Sequence, residues 1–194
     1  MNNYCRLVIV FCLISFSALA QDYYSGKEYV GTDVCFKVDV NSSGTVCLTD
    51  TTGYKGLLDT SPVWRQTGDP FNEDNGNWTT TLSFQTLETI CRQVFSQTEI
   101  EMILNCKNQL SFEVAIDPVT GWTEELRFLL HNYPKKKDPP LLSIPVSKFE
   151  SLALLMKQNL VWEINSDCVG VSHLRSGGPL LQSSFASPCQ CSEI

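Results

Sequence analysis

The sequence lacks the features that define several classes of protein. It has no apolar run that reaches the roughly 20 residues of a membrane-spanning helix, and its polar C-terminus has no apolar tail of the kind that directs lipid anchoring. Only two histidines are present, neither of them in a catalytic motif, and no Cys-x-x-Cys pair gives the spacing of a zinc site. We therefore predict no membrane span, no catalytic residues, no cofactor and no metal.

Residues 1–20 have the three parts of a secretory signal peptide. Arg6 supplies a positive charge, an apolar core follows over 7–14, and Ala18-Leu19-Ala20 supplies the small residues of a cleavage site. We predict that 1–20 are removed on export. The mature protein is then a secreted, single extracellular domain over 21–194.

Acidic residues outnumber basic ones, 21 against 14, for a net charge of −7. Loss of Arg6 with the signal peptide changes this charge to −8, because no acidic residue lies in 1–20. An acidic surface argues against nucleic acid and against anionic membranes as partners.

Seven cysteines remain after residue 20: Cys35, Cys47, Cys91, Cys106, Cys168, Cys189 and Cys191. In an oxidising compartment they predict a disulfide framework, with a first bridge between Cys35 and Cys47 and a C-terminal tail over 180–194 tied down by Cys189 and Cys191. Seven is an odd number, so one thiol either joins two chains in a disulfide-linked homodimer or stays unpaired. The alternative for the odd cysteine is a buried thiol that packs as a small apolar group.

Two sequons predict a glycoprotein. Asn41-Ser42-Ser43 and Asn77-Trp78-Thr79 both satisfy the rule for N-glycosylation. Each lies beside turn-forming residues, where exposed loops are expected.

The hydrophobic pattern predicts an α+β fold with a β-rich antiparallel sheet, two helices and disulfide reinforcement. Alternation predicts a hairpin over 34–40 and 45–49, and a helical stripe predicts a helix over 84–96. Alternation also predicts a three-stranded meander over 100–106, 110–116 and 122–130, although the first of these segments fits a helix as well.

The second half of the chain continues this pattern. Prolines predict a loop over 132–140, and Ser147-Lys148-Phe149-Glu150 predicts a capping box at the start of a helix over 147–158. Two further strands are predicted over 160–164 and 168–173. Gly177-Gly178-Pro179 is then expected to form a turn.

Two short segments are similar to known families. Ser176-Gly177-Gly178-Pro179-Leu180 resembles the segment around the nucleophile of chymotrypsin-like serine proteases, but Arg175 stands where that family has Asp and only 18 residues follow Ser176. The stretch 87–94 is similar to part of the scavenger receptor cysteine-rich domains, with Gly76-Asn77-Trp78 upstream. The second resemblance implies extracellular recognition.

These observations predict a secreted, glycosylated, non-enzymatic protein that binds an extracellular protein or glycan or contributes to an extracellular assembly. One alternative is a carrier of a small apolar ligand, which needs an apolar cavity beside the sheet. The other is a small extracellular hydrolase, in which His131 or His173 meets a hydroxyl and a carboxylate in one pocket.

Overall fold

The computed structural model describes residues 26–72, 84–106, 109–131 and 140–181. It contains a six-stranded antiparallel sheet with the strand order β1-β2-β3-β5-β4-β6. The elements in chain order are β1 Lys27–Val30, β2 Cys35–Val40, β3 Val46–Asp50, α1 Phe84–Val94, α2 Gln97–Asn105, β4 Leu110–Ile116, β5 Thr123–Leu130, α3 Val146–Asn159 and β6 Leu174–Pro179. The α+β class is confirmed, but the described part contains three α-helices rather than two.

Several predictions made from the sequence lie outside the described residues. These are the signal peptide over 1–20, the sequon at Asn77, most of the loop over 132–140, and the cysteines Cys189 and Cys191. Within the described ranges, no helix has both the length and the apolar character needed to cross a membrane.

The core lies between one face of the sheet and helices α1 and α3. Alternate residues of the central strands point into it, so Phe36, Leu48 and Phe128 are fully buried. The rings of Phe128 and Phe149, on β5 and α3, have centroids 5.3 Å apart. Burial of each such side chain contributes about 1.5–3 kcal/mol to stability. Because the helices cover this face, the opposite face of the sheet is the one that faces solvent.

The predicted hairpin is confirmed, and so is the pairing of the last two strands of the predicted meander. In the first, Val38 pairs with Leu48 across β2 and β3, and Gly44 takes a φ of 84° in the connecting turn. In the second, Phe112 pairs with Phe128 across β4 and β5. Strict alternation of apolar and polar residues identified these strands because each of them has one buried face.

The first strand of the predicted meander is wrong, since 97–105 forms helix α2. Ser96 and Glu99 form a reciprocal capping box at its start, and Ile100 and Ile103 are buried on one side of the helix. The strand was predicted because Ile100, Met102 and Leu104 are apolar at every second position, and over so short a stretch this pattern also fits a helix. The helical alternative for this segment is confirmed.

The capping box predicted for α3 is also wrong. The helix begins at Val146, with Pro145 as its N-cap and no side-chain capping bond. The Glu150 carboxylate instead accepts the backbone N–H groups of Thr32 and Asp33 at 2.6 and 3.1 Å. Glu150 therefore binds a turn that is distant in the sequence instead of the start of its own helix.

The last part of the chain differs most from prediction. The strands expected over 160–164 and 168–173 reduce to isolated bridges, in which Val161 pairs with Trp122 and Val171 with Trp64. The Gly-Gly-Pro segment lies in strand β6 instead of a turn. Pro179 is tolerated there because β6 is an edge strand of the sheet, where a proline need not donate to a second neighbour.

The predicted Cys35–Cys47 bridge is wrong. Cys47 pairs across the hairpin with Asp39, four residues from Cys35 along β2. Four residues of strand span about 13 Å, whereas bridged cysteines have Cα atoms within about 7 Å. No two of the five described cysteines lie at disulfide distance, so disulfide reinforcement is wrong for this part of the chain.

Candidate functional site: a cleft on the outer face of the sheet

The face of the sheet opposite the helices carries a row of polar side chains. Cross-strand pairing places Lys37, Thr49, Arg127, Glu113 and Gly177 side by side, one from each of β2, β3, β5, β4 and β6. Residues paired in this way point to the same face. Charges are therefore concentrated on a surface that the core leaves open.

Arg127 is the best-connected charge of this row. Its guanidinium contacts Glu113 at 2.5 Å and Asp59 at 2.9 Å, and donates to the carbonyl of Leu58 at 3.2 Å. Burial by itself lowers the pKa of Arg127, but the contacts with Glu113 and Asp59 outweigh it and raise the pKa. Arg127 stays charged and holds the chain around Leu58 against the sheet.

Glu125 holds the same segment from the next row of the sheet. It is only 2% exposed, and its carboxylate accepts the backbone N–H groups of Lys55 and of Leu58, the latter at 3.1 Å. Two residues of β5 therefore fix the 3-10 turn at Leu57–Asp59 beside the sheet. This turn becomes one wall of a cleft.

The cleft encloses about 340 Å³ and is open to solvent. Its opposite wall is β6, where a side chain at Gly177 would press against the Phe112 carbonyl. Glycine at this position keeps β6 close to β4 and leaves the cleft unobstructed. The lining residues are Leu58, Ser111, Phe112, Glu113, Arg127, Arg175, Ser176, Gly177 and Gly178.

One edge of the cleft carries a serine and a histidine in contact. The Ser111 hydroxyl and His131 Nε2 are 2.9 Å apart, and the backbone N–H of His131 donates to the backbone carbonyl of Gln109 at 2.6 Å. No described carboxylate forms a hydrogen bond or ion pair with the His131 ring. The structure thus brings a hydroxyl and an imidazole together without the third group of a catalytic triad.

His173 has a different environment. It is buried, and its ring contacts the Ser172 hydroxyl at 3.0 Å and the Thr60 carbonyl at 3.2 Å. Both nitrogens therefore have partners within the fold. This histidine connects the chain around Thr60 to the segment that leads into β6.

Asn41 lies in the exposed turn between β2 and β3. Its side-chain oxygen accepts the backbone N–H groups of Ser43 and Thr45 at 3.0 and 2.9 Å. These bonds hold the oxygen toward the turn. The amide nitrogen, which is the atom that carries an N-glycan, belongs to an exposed side chain.

Burial raises the pKa of two of the described cysteines. Cys91 is buried in the core, and burial raises the pKa of its thiol to about 12. Burial likewise raises the pKa of Cys47, on the outer face of the sheet. Thiolates are therefore disfavoured at both positions, and the described ranges hold no group of three His, Cys, Asp or Glu side chains suited to a metal.

A second groove of about 420 Å³ lies between helices α1 and α3. Neutral polar residues dominate its lining, with Ile90 and Leu155 as its apolar members: Gln85, Thr86, Thr89, Ile90, Gln93, Leu155 and Asn159. Like the cleft, it is open to solvent. Neither site, in the part of the chain described, has the enclosed apolar form that a carrier of a small apolar ligand needs.

Sequence reasoning missed two charged residues that line the cleft and one that anchors its wall. Glu113, Glu125 and Arg127 all occupy the polar positions of alternating strands, which is a signal for the outer face. The alternation carries no information on which strands are neighbours. Their contacts with Asp59 and Leu58 therefore could not be read from it.

Comparison with known proteins shows similarity of fold alone. No protein-family model matches the sequence, and no curated protein is similar to it. A solved DUF5043 family protein from Bacteroides uniformis superposes with a TM-score of 0.64 at 17% identity. The match covers 80% of this chain and 84% of that protein.

Proposed function

We propose that this is a secreted, glycosylated, non-enzymatic protein that binds an extracellular glycan or protein through the outer-face cleft, or that uses it to join an extracellular assembly. The observation that carries the proposal is the cleft itself, a polar site whose walls belong to β4, β6 and the anchored turn. Sites on strands hold their side chains in defined positions. A volume of about 340 Å³ suits a small group, such as one or two sugar rings or a side chain.

The chemistry of the lining favours a polar partner group. Arg175 supplies only donors, Glu113 supplies only acceptors, and the Ser111 hydroxyl supplies both. A sugar or a polar side chain offers the matching mixture. An apolar ligand would exclude water from these groups and offer them no hydrogen bonds in return, which is unfavourable.

Binding can be tested on the secreted protein with an array of extracellular glycans and, separately, with extracellular protein fractions. Arg175→Ala and Ser111→Ala should each weaken binding about tenfold, since each removes polar contacts within the cleft. Lys37→Ala is the matched control, because it removes a positive charge from the same face outside the cleft lining. If all three variants bind as tightly as the unchanged protein, the cleft is excluded as the binding site.

Secretion and glycosylation are tested together. The exposed position of Asn41 supports modification there, and expression in eukaryotic cells should give a secreted product whose mass falls on enzymatic deglycosylation. Asn41→Gln and Ser43→Ala should each remove one glycan. Electrophoresis of the same product without reductant tests the disulfide-linked homodimer that the odd cysteine predicts.

The contact between Ser111 and His131 favours a second candidate function, hydrolysis at the edge of the cleft. A serine is activated as a nucleophile when a nearby imidazole accepts its proton. Ester hydrolysis that disappears in both Ser111→Ala and His131→Ala would support an enzyme. Activity that survives either substitution would exclude this pair, and the binding function would stand alone.

A further inference from the structure

An exposed tryptophan lies at the end of the sheet, just before β5. Trp122 is 42% exposed and pairs through an isolated bridge with Val161, which is 48% exposed. Val119, in the preceding turn, is more exposed still. Tryptophan is usually well buried, and exposed tryptophan is over-represented among the residues that dominate protein interfaces.

The position of this tryptophan is firmly held. Trp162, the residue after Val161, is buried and donates its backbone N–H to the Gly121 carbonyl at 2.9 Å. The Trp162 indole N–H donates to the Thr123 hydroxyl at 3.1 Å. The two chain segments on either side of the bridge are thus fixed to one another.

Two glutamates lie near this bridge, one on each segment. Burial alternates over 160–163, so Glu163 points outward with Val161, and Glu124, the extra residue of a bulge between Thr123 and Glu125, is partly exposed. In an antiparallel pair, residues two positions along lie diagonally about 7–8 Å away. Glu163 therefore lies diagonally across the bridge from Trp122, where an arginine or lysine side chain can reach both the ring and this acid.

The two acids differ in their neighbours. Glu124 forms an ion pair with Lys55 at 2.8 Å. Glu163 is exposed and forms no ion pair with any other described residue. Among the described residues, the carboxylate of Glu163 is therefore available to a cation from outside the chain.

We propose that Val119, Trp122, Val161 and Glu163, here called the Trp122 surface, bind an arginine-containing segment of a partner protein. The guanidinium lies over the indole and donates to Glu163, while the aliphatic stem packs on Val161. A cation over a tryptophan ring is favourable, and arginine stacks on aromatic rings better than lysine does. This surface is separate from the outer-face cleft and does not depend on ligand binding there.

The charge of the protein supports a basic partner. The chain carries a net charge of −7, so a second copy would meet the Trp122 surface with charge of the same sign. A neutral glycan could stack on the indole but would gain nothing from the charge of Glu163. A basic segment uses the ring, the carboxylate and the long-range field together.

The test is an NMR titration of the secreted protein, labelled with nitrogen-15, with an alternating arginine–glycine peptide. The indole resonance of Trp122, identified by its loss in Trp122→Ala, should shift saturably. An otherwise identical peptide with citrulline in place of arginine should shift it little. Trp122→Ala should weaken peptide binding about tenfold, and Glu163→Gln about threefold, more at low salt than at high salt.

Phe84→Ala is the matched control, since Phe84 is an exposed aromatic residue on α1, away from this bridge. It should bind the peptide as tightly as the unchanged protein does. Circular dichroism is used to check that all variants are folded to the same extent before their binding is compared. Equal binding of the citrulline peptide would overturn the proposal. Tighter binding of cellohexaose, or a Trp122 shift that follows protein concentration without peptide, would overturn it in favour of a glycan or a second copy.

Discussion

The buried carboxylate of Glu125 accepts the backbone N–H of Leu58 at 3.1 Å, although the two residues are 67 positions apart. The same carboxylate accepts the N–H of Lys55. A single side chain of β5 therefore satisfies two backbone donors of a turn that has no sheet partner of its own. The position of one wall of the cleft depends on this contact.

Glu125→Gln should lower the free energy of unfolding by about 1–3 kcal/mol, because a neutral amide accepts the two backbone bonds less strongly than a carboxylate. Urea unfolding measures the change. Glu124→Gln is the control, since its ion pair with Lys55 is open to solvent and contributes little to stability. Equal losses in the two variants would contradict an anchoring role for Glu125.

Glu150→Ala should release the turn between β1 and β2. Its carboxylate accepts the N–H groups of Thr32 and Asp33 and the hydroxyl of Tyr29, so the amides of Thr32 and Asp33 should exchange with deuterium faster. We expect a loss of about 1–3 kcal/mol in the free energy of unfolding.

Ser147→Ala tests whether Ser147 and Glu150 form a capping box at the start of α3. No side-chain cap is made at the start of α3, so this substitution should change the free energy of unfolding by less than about 0.5 kcal/mol. A loss as large as that of Glu150→Ala would mean that the capping box forms in solution after all.

The Glu99 carboxylate should make stability depend on pH in the acid range. Burial by itself raises its pKa, but hydrogen bonds from Lys148 at 2.5 Å and from Ser96 outweigh burial and lower the pKa in the folded state. A lowered pKa contributes stability that is present above the unfolded value of about 4.3. This contribution is lost as the pH falls through the lower, folded pKa.

Glu99→Gln removes this contribution. The variant should be less stable than the unchanged protein at pH 7, and the difference between them should shrink as the pH falls below about 4. Thermal unfolding at a series of pH values measures both curves. A difference that does not change with pH would show that Glu99 acts through packing alone.

Alkylation of the folded protein should separate the described cysteines by burial. Cys91 should resist iodoacetamide, because it is buried and its pKa is raised to about 12, and should react once urea unfolds the protein. The partly exposed Cys35 should react without urea. A peptide map made without reductant should contain no Cys35–Cys47 cross-link, and detection of that cross-link would contradict the observed strand register.

Local patterns in the sequence were enough to predict the strands and helices that have one buried face and one exposed face. The alternation over 34–40 and 110–130 and the helical stripe from Leu87 to Phe95 each reflect one buried face, and all three were predicted. The pattern over 100–106 fitted two periods at once. The local Ser96–Glu99 capping box, which the sequence contains, decides that case in favour of a helix.

The sequence by itself also determined which strand residues are polar and belong to the outer face, the acidic net charge, and the positions of the sequons and cysteines. Only the tertiary structure decided that Arg127 meets Glu113 and Asp59, that the Glu150 side chain binds the turn at Thr32, and that Trp122 pairs with Val161. These contacts join residues far apart in the chain. Their partners follow from strand order and register, which the period of a single strand does not contain.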